Sequence, residues 1–81
     1  MTDVKIPKLG MSTVEVDVAK WLVGVGARVA VGTPLVEVET EKATVEVEAE
    51  VAGVVTDILV AAGATTEVGA VICRIREDDN I

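Results

Sequence analysis

The chain has no histidine, no phenylalanine and no tyrosine, and it carries one tryptophan, Trp21, and one cysteine, Cys73. Each shortage excludes a class of function. Without an imidazole there is no Ser-His-Asp or Cys-His catalytic constellation and no histidine metal site. A single cysteine closes no internal disulfide and builds no thiolate cluster. No apolar run approaches the roughly 20 residues of a membrane-spanning helix. Cations are scarce as well: 7 Lys and Arg stand against 14 Asp and Glu, for a net charge of −7. Such a surface repels phosphate, so neither nucleic acid nor an anionic membrane is an expected partner, whereas basic protein surfaces are. With no paired cysteines and no signal-peptide pattern, the expected compartment is the reducing cytoplasm, or the mitochondrial matrix in a eukaryote.

What remains is a chain of 81 residues that is 51% apolar, enough for one small core and too little for a deep substrate pocket. The apolar residues are mostly Val, Ala, Leu and Ile, and β-branched side chains favour the pleated surface of a sheet. Strict alternation appears in Val14-Glu15-Val16-Asp17-Val18, Val36-Glu37-Val38-Glu39 and Val45-Glu46-Val47-Glu48. Shorter apolar runs at 21–23, 54–60 and 70–75 are separated by turn signals at Gly24 to Gly26, Gly32-Thr33-Pro34, Ala52-Gly53, Gly63 and Gly69. Short strands at that spacing predict an all-β fold, a sandwich or barrel. Trp21 and Val14 are assigned to the core, the glycines to turns, and Cys73, in an apolar strand, to an inert buried thiol.

The chain also echoes itself. Trp21-Leu22-Val23 with Gly26, Ala27, Val31 and Gly32 returns 37 residues later as Ile58-Leu59-Val60 with Gly63, Ala64, Val68 and Gly69. Val14 and Val18 extend the match to Val51 and Val55. Two copies are too few for a solenoid. They predict two halves related by a quasi-two-fold axis, neither able to bury its apolar face without the other. Thr40 to Ala43 ends the first half and the stretch near Glu77 to Asn80 ends the second. A two-fold relation then puts Lys42 at the pole away from the end of the chain.

The most informative segment runs from Pro34 to Val51. A two-residue turn centred on Glu41-Lys42, flanked by Thr40 and Ala43, sets Val36 opposite Val47 and Val38 opposite Val45 on one face. Glu37 then faces Glu46, and Glu39 faces Thr44, on the other. A slip of one residue would bury the glutamates, so the register is well specified. Glu37 opposite Glu46 is a like-charge pair that costs stability. Glu-Lys is not an Asn-Gly or Asp-Gly pair, although a type I turn accepts it. Lys42 is the single cation between Ala30 and Val71. The surrounding carboxylates favour its protonated form, so it is ill suited to Schiff-base chemistry and better suited to modification by another enzyme.

Glu39-Thr40-Glu41-Lys42-Ala43 resembles the lipoylation motif, Glu-Thr-Asp-Lys-Ala, of the biotinyl/lipoyl domain superfamily. Ile6-Pro7-Lys8-Leu9-Gly10-Met11-Ser12 is similar to the opening strand and loop of lipoyl domains of dihydrolipoamide acyltransferases. The spacing of Trp21, Gly26, Gly32, Pro34-Leu35, Gly53, Gly63 and Val68-Gly69 agrees over residues 3 to 76. The sequence departs from the pattern at Glu41, where Asp is usual, at Val16, where Gly is common, and at Glu50, where Pro is common.

This resemblance implies a flattened β-barrel, or sandwich, of two four-stranded antiparallel sheets, with a carrier domain over residues 1–76 and a polar tail or linker at 77–81. It implies lipoate held covalently, as an amide, on Lys42, with Glu39, Thr40, Glu41 and Ala43 as the modification motif. The loop of Leu9, Gly10, Met11, Ser12 and Thr13 is the implied recognition element. Such a domain is not itself an enzyme. It shuttles acyl groups and reducing equivalents among a thiamine-dependent 2-oxo acid dehydrogenase, an acyltransferase catalytic domain and dihydrolipoamide dehydrogenase. A lipoate ligase or lipoyl transferase charges it, and the isolated domain is expected to be a monomer. Pro7 to Ser12 leans toward a pyruvate, branched-chain or acetoin complex over a 2-oxoglutarate complex. The alternatives are a biotin carrier, whose lysine typically lies between methionines, and an unmodified interaction domain of the same fold.

Overall fold

The computed structural model describes residues 1–7, 15–40 and 43–77. Eight strands follow one another: β1 (Thr2–Lys5), β2 (Glu15–Trp21), β3 (Arg28–Val29), β4 (Pro34–Glu39), β5 (Thr44–Glu48), β6 (Gly53–Ile58), β7 (Thr65–Glu67) and β8 (Val71–Glu77). They form two antiparallel four-stranded sheets with orders β1-β8-β6-β3 and β5-β4-β2-β7. β8 retains Glu77, the residue with which the sequence opens the tail, and residues 78–81 lie outside the described residues.

The alternating segments form strands because alternation gives a sheet one wet and one dry face. In β2, Glu15 and Asp17 are exposed while Val16 and Val18 are buried. Val16, Val18, Val36, Val38 and Val47 from one sheet meet Val4, Val55, Ile72, Cys73 and Ile75 from the other, in a single core closed by Ile6, Val29, Leu35 and Ala49. Each such side chain contributes about 1.5–3 kcal/mol on leaving water. Trp21 packs against this core half-buried, and its Nε1–H donates to the Val60 carbonyl at 2.7 Å. Val14 lies outside the described residues.

The quasi-two-fold relation is visible bond by bond. Exchanging β1 to β4 for β5 to β8 turns one sheet order into the other. The Gly26 N–H donates to the Val55 carbonyl at 2.7 Å, and its counterpart Gly63 donates to Val18 at 2.7 Å. Gly26, Gly32, Gly63 and Gly69 all have φ between 90° and 93°, a region that L side chains rarely enter, which explains why the repeat preserves glycine at those turns. Both β2 and β6 carry an irregularity at the same place, between Val18 and Lys20 and between Val55 and Asp57. Each sheet takes two strands from each half of the chain, so neither half has a core of its own.

The symmetry is broken in length. Gly32 and Thr33 bond to Ala49 as Gly69 and Ala70 bond to Ile6. Ile6 and Ala49 are 43 residues apart, whereas Val18 and Val55 are 37 apart. The first half therefore holds six extra residues between Ile6 and Val18, in the stretch that contains Leu9 to Thr13.

Candidate functional site

The β4–β5 hairpin forms in the register that the sequence predicts. Val36 pairs with Val47, Glu37 with Glu46, Val38 with Val45 and Glu39 with Thr44. Beyond the last pair, the Thr40 N–H donates to the Ala43 carbonyl at 2.9 Å. The Thr40 hydroxyl donates to that same carbonyl at 3.1 Å and accepts the Ala43 N–H at 3.2 Å. Thr40 and Ala43 are thus tied together, with Glu41 and Lys42 between them in the sequence. Glu41 and Lys42 themselves lie outside the described residues, as do Leu9, Gly10, Met11, Ser12 and Thr13.

The tertiary arrangement adds what surrounds this end of the hairpin. Asp17 of β2 pairs with Glu39, so Glu15, two residues nearer the start of β2, lies on the turn side of that pair. β2 therefore begins beside the Thr40–Ala43 end of the hairpin. Glu77 marks the other end: it pairs with Gly53, four residues after Ala49, which bonds to Gly32 and Thr33 at the Pro34 end of β4. An open groove lined by Val4, Lys5, Val31, Val47, Glu48 and Glu50 also lies toward that remote end. Among the described residues no group of three His, Cys, Asp or Glu side chains could hold a metal ion.

The outer face of this sheet is acidic beyond what the hairpin alone suggests. Glu15 pairs with Glu67 and Asp17 with Glu39, next to the Glu37–Glu46 pair. Like charges directly opposite one another on a sheet are destabilising. Alternation turns Glu15 and Asp17 outward, but their partners are strands far away in sequence. Local pattern contains no signal for those pairings, and sequence reasoning missed them. It also missed the Thr40 hydroxyl, although Thr at a turn is a known competitor for backbone groups.

The flanking geometry suits a covalently attached group better than a bound one. Ala43 and Thr44 are exposed, and Thr40 is half-buried. An attachment site of that kind needs an amine held out from a rigid support. Cys73, by contrast, is fully buried, and burial pushes its thiol up from 9.0 to about 11, which suits packing rather than redox chemistry.

Comparison with known proteins agrees with this geometry. The family model for biotin and lipoyl attachment, described as "Biotin-requiring enzyme", matches residues 2–75. Over 91% of its length the chain is 46% identical to the dihydrolipoyllysine-residue acetyltransferase component of the pyruvate dehydrogenase complex of Corynebacterium glutamicum, of which it spans 11%. Over 88% of its length it is 45% identical to the dihydrolipoyllysine-residue succinyltransferase component of the 2-oxoglutarate dehydrogenase complex of Bartonella vinsonii subsp. berkhoffii, of which it spans 17%. The chain thus covers less than a fifth of each of these relatives. The solution structure of the lipoyl domain of the 2-oxoglutarate dehydrogenase complex from Azotobacter vinelandii superposes with a TM-score of 0.77 at 31% identity, covering 95% of this chain and 98% of that one. Two interlocked four-stranded sheets, a quasi-two-fold repeat and a β4–β5 hairpin tied through Thr40 and Ala43 are accordingly those of a lipoyl domain, and the chain belongs to the biotin/lipoyl attachment family.

Proposed function

We propose that this domain is the swinging-arm carrier of a 2-oxo acid dehydrogenase complex, with lipoate joined as an amide to Lys42. The observation that supports the reading is the hairpin register, which closes through Thr40 and Ala43, the residues that flank Glu41-Lys42 in the sequence. Glu39, Thr40, Glu41 and Ala43 are the proposed modification motif, and Leu9, Gly10, Met11, Ser12 and Thr13 the proposed recognition loop. The start of β2 supports the latter, because Glu15, the residue that follows the loop by two positions, lies on the Thr40 side of the Asp17–Glu39 pair.

When attached, lipoate supplies the acyl-transfer and two-electron chemistry, and the chain supplies none. The task of the protein is to hold the Lys42 turn on a stiff two-sheet support and to be recognised. Tethering keeps the arm at high effective concentration near each partner site. The proposed partners are a thiamine-dependent 2-oxo acid dehydrogenase, the acyltransferase catalytic domain of the same complex, dihydrolipoamide dehydrogenase, and a lipoate ligase or lipoyl transferase. The domain would act as a monomeric part of a dihydrolipoyllysine-residue acyltransferase, in the cytoplasm or, in a eukaryote, the mitochondrial matrix. Among relatives, components of pyruvate, 2-oxoglutarate and branched-chain complexes all match, so overall likeness does not choose the acid. The Pro7 to Ser12 segment favours the pyruvate, branched-chain or acetoin class.

Intact mass after incubation with lipoate, ATP and a lipoate ligase tests this reading. One lipoyl addition is expected on the chain and none on Lys42→Arg. A chain that gains no mass, or gains a biotinyl group from a biotin ligase instead, overturns it. Rates of reductive acylation by pyruvate and 2-oxoglutarate dehydrogenases then decide the acid, with pyruvate expected to be faster.

A further inference from the structure

We propose that Thr40 is a positioning residue for modification at Lys42, acting through its hydroxyl rather than through its bulk. The proposal rests on the reading of Lys42 as the modified lysine. Tight hairpin turns are usually set by their two central residues, which are Gly, Asn or Asp because those tolerate positive φ. Glu41-Lys42 contains none of these. A type I turn accepts Glu-Lys without selecting it, so a constraint from the flanks can decide how firmly the turn is held.

Thr40 supplies that constraint. Its hydroxyl lies within donating distance of the Ala43 carbonyl, 3.1 Å away, and accepts the Ala43 N–H at 3.2 Å. One hydroxyl can make both bonds at once. With the Thr40 N–H also donating to the Ala43 carbonyl at 2.9 Å, both backbone polar groups of Ala43 are engaged by one residue. The β-branched side chain has few rotamers to lose, so the tie is made at low entropic cost. The opposite pole has no such backbone tie among the described residues. Glu77, the counterpart of Thr40 in the repeat, accepts a hydrogen bond from the Thr2 hydroxyl at 2.7 Å on Oε2.

The consequence concerns recognition by the charging enzyme. A ligase forms the acyl-adenylate from lipoate and ATP with release of pyrophosphate. The Lys42 amine then displaces AMP, the amide bond forms, and the nitrogen gives up a proton. For this the amine must reach the acyl carbon from one direction. A turn that is ordered beforehand presents its lysine in the competent geometry for most of the time. A loosened turn does so for a smaller fraction, and apparent affinity falls by that fraction.

The test is the kinetics of lipoylation of the unmodified chain by a lipoate ligase, followed by intact mass. Thr40→Val keeps the branched shape and loses the hydroxyl. It should raise KM for the domain about tenfold and leave kcat within about twofold. Thr40→Ser keeps the hydroxyl and should return KM to within about threefold of the parent chain. Exchange of the Ala43 amide should accelerate about tenfold in Thr40→Val and little in Thr40→Ser, with melting midpoints that stay close together. Equal KM for Thr40→Val and the parent overturns the proposal, and so does failure of Thr40→Ser to rescue. If the parent chain itself takes no lipoyl group, the reading of Lys42 fails first. If the parent is charged and Thr40→Val is charged equally well, the role of Thr40 alone is wrong.

Discussion

The β4–β5 hairpin and the β8–β1 pair occupy equivalent places in the repeat, yet they treat charge in opposite ways. In β8–β1, Arg74 pairs with Asp3, and the guanidinium Nε lies 3.2 Å from the carboxylate. At the equivalent place in the hairpin, Glu37 pairs with Glu46. Lys5 and Arg76 on one sheet correspond to Glu48 and Glu39 on the other. Both pairs bury the same kind of apolar row, so the core does not require this difference. One end of the molecule neutralises its strands where the two described ends of the chain meet. The other sets Glu37 opposite Glu46 and Asp17 opposite Glu39, at a cost in stability that Lys20, facing Glu37 from β2, offsets only in part. The difference teaches that the same apolar row accepts either charge pattern on its outer face, so the pattern is not set by the core.

Three substitutions break or sharpen that comparison. The largest effect concerns Gly53, whose counterpart in the first half is the buried Val16. A Cβ on Gly53 would run into the Arg76 carbonyl, with the Arg76 carbonyl carbon at 2.8 Å and the Glu77 Cα at 2.9 Å. Gly53→Val, which would make the halves more alike, should therefore destabilise by more than about 3 kcal/mol in denaturant unfolding. Loss of less than about 1 kcal/mol would show that the two sites pack alike after all.

Next is Cys73, the counterpart of Val36, both fully buried. The folded chain keeps the thiol protonated to about pH 11, because burial disfavours the thiolate, while in the unfolded chain it ionises near 9.0. Stability from this group is complete below pH 9 and declines as the pH rises toward 11, by up to about 2–3 kcal/mol. Cys73→Val should remove that part of the alkaline decline and change stability at pH 7 by about 1 kcal/mol or less. An unchanged difference between the two chains from pH 8 to 11 would contradict it.

The smallest effect comes from Glu46→Lys, which gives Glu37 the kind of partner that Arg74 has in Asp3. It should stabilise by a few tenths of a kcal/mol at low salt, and the gain should shrink in 1 M NaCl. Destabilisation at low salt would mean that the Glu37–Glu46 pair is not a burden to the fold.

Much of this was open to reading in the residues. Val36, Val38, Val45 and Val47 alternate with glutamates, and one slip in register would exchange a dry face for a charged one, so the hairpin and its turn followed from sequence. The glycines at 26, 32, 63 and 69 announced the repeat because positive φ excludes other residues there. Tertiary structure alone decided which distant strands become neighbours: β2 between β4 and β7, and β6 between β8 and β3. Those pairings join residues tens of positions apart, and no local periodicity encodes them. They assemble Glu15, Asp17, Glu39 and Glu67 into one acidic face, and they crowd Gly53 while leaving room for Val16. The Thr40 tie belongs to the same class, because a hydroxyl in a sequence does not say which backbone group it will meet until the turn has closed.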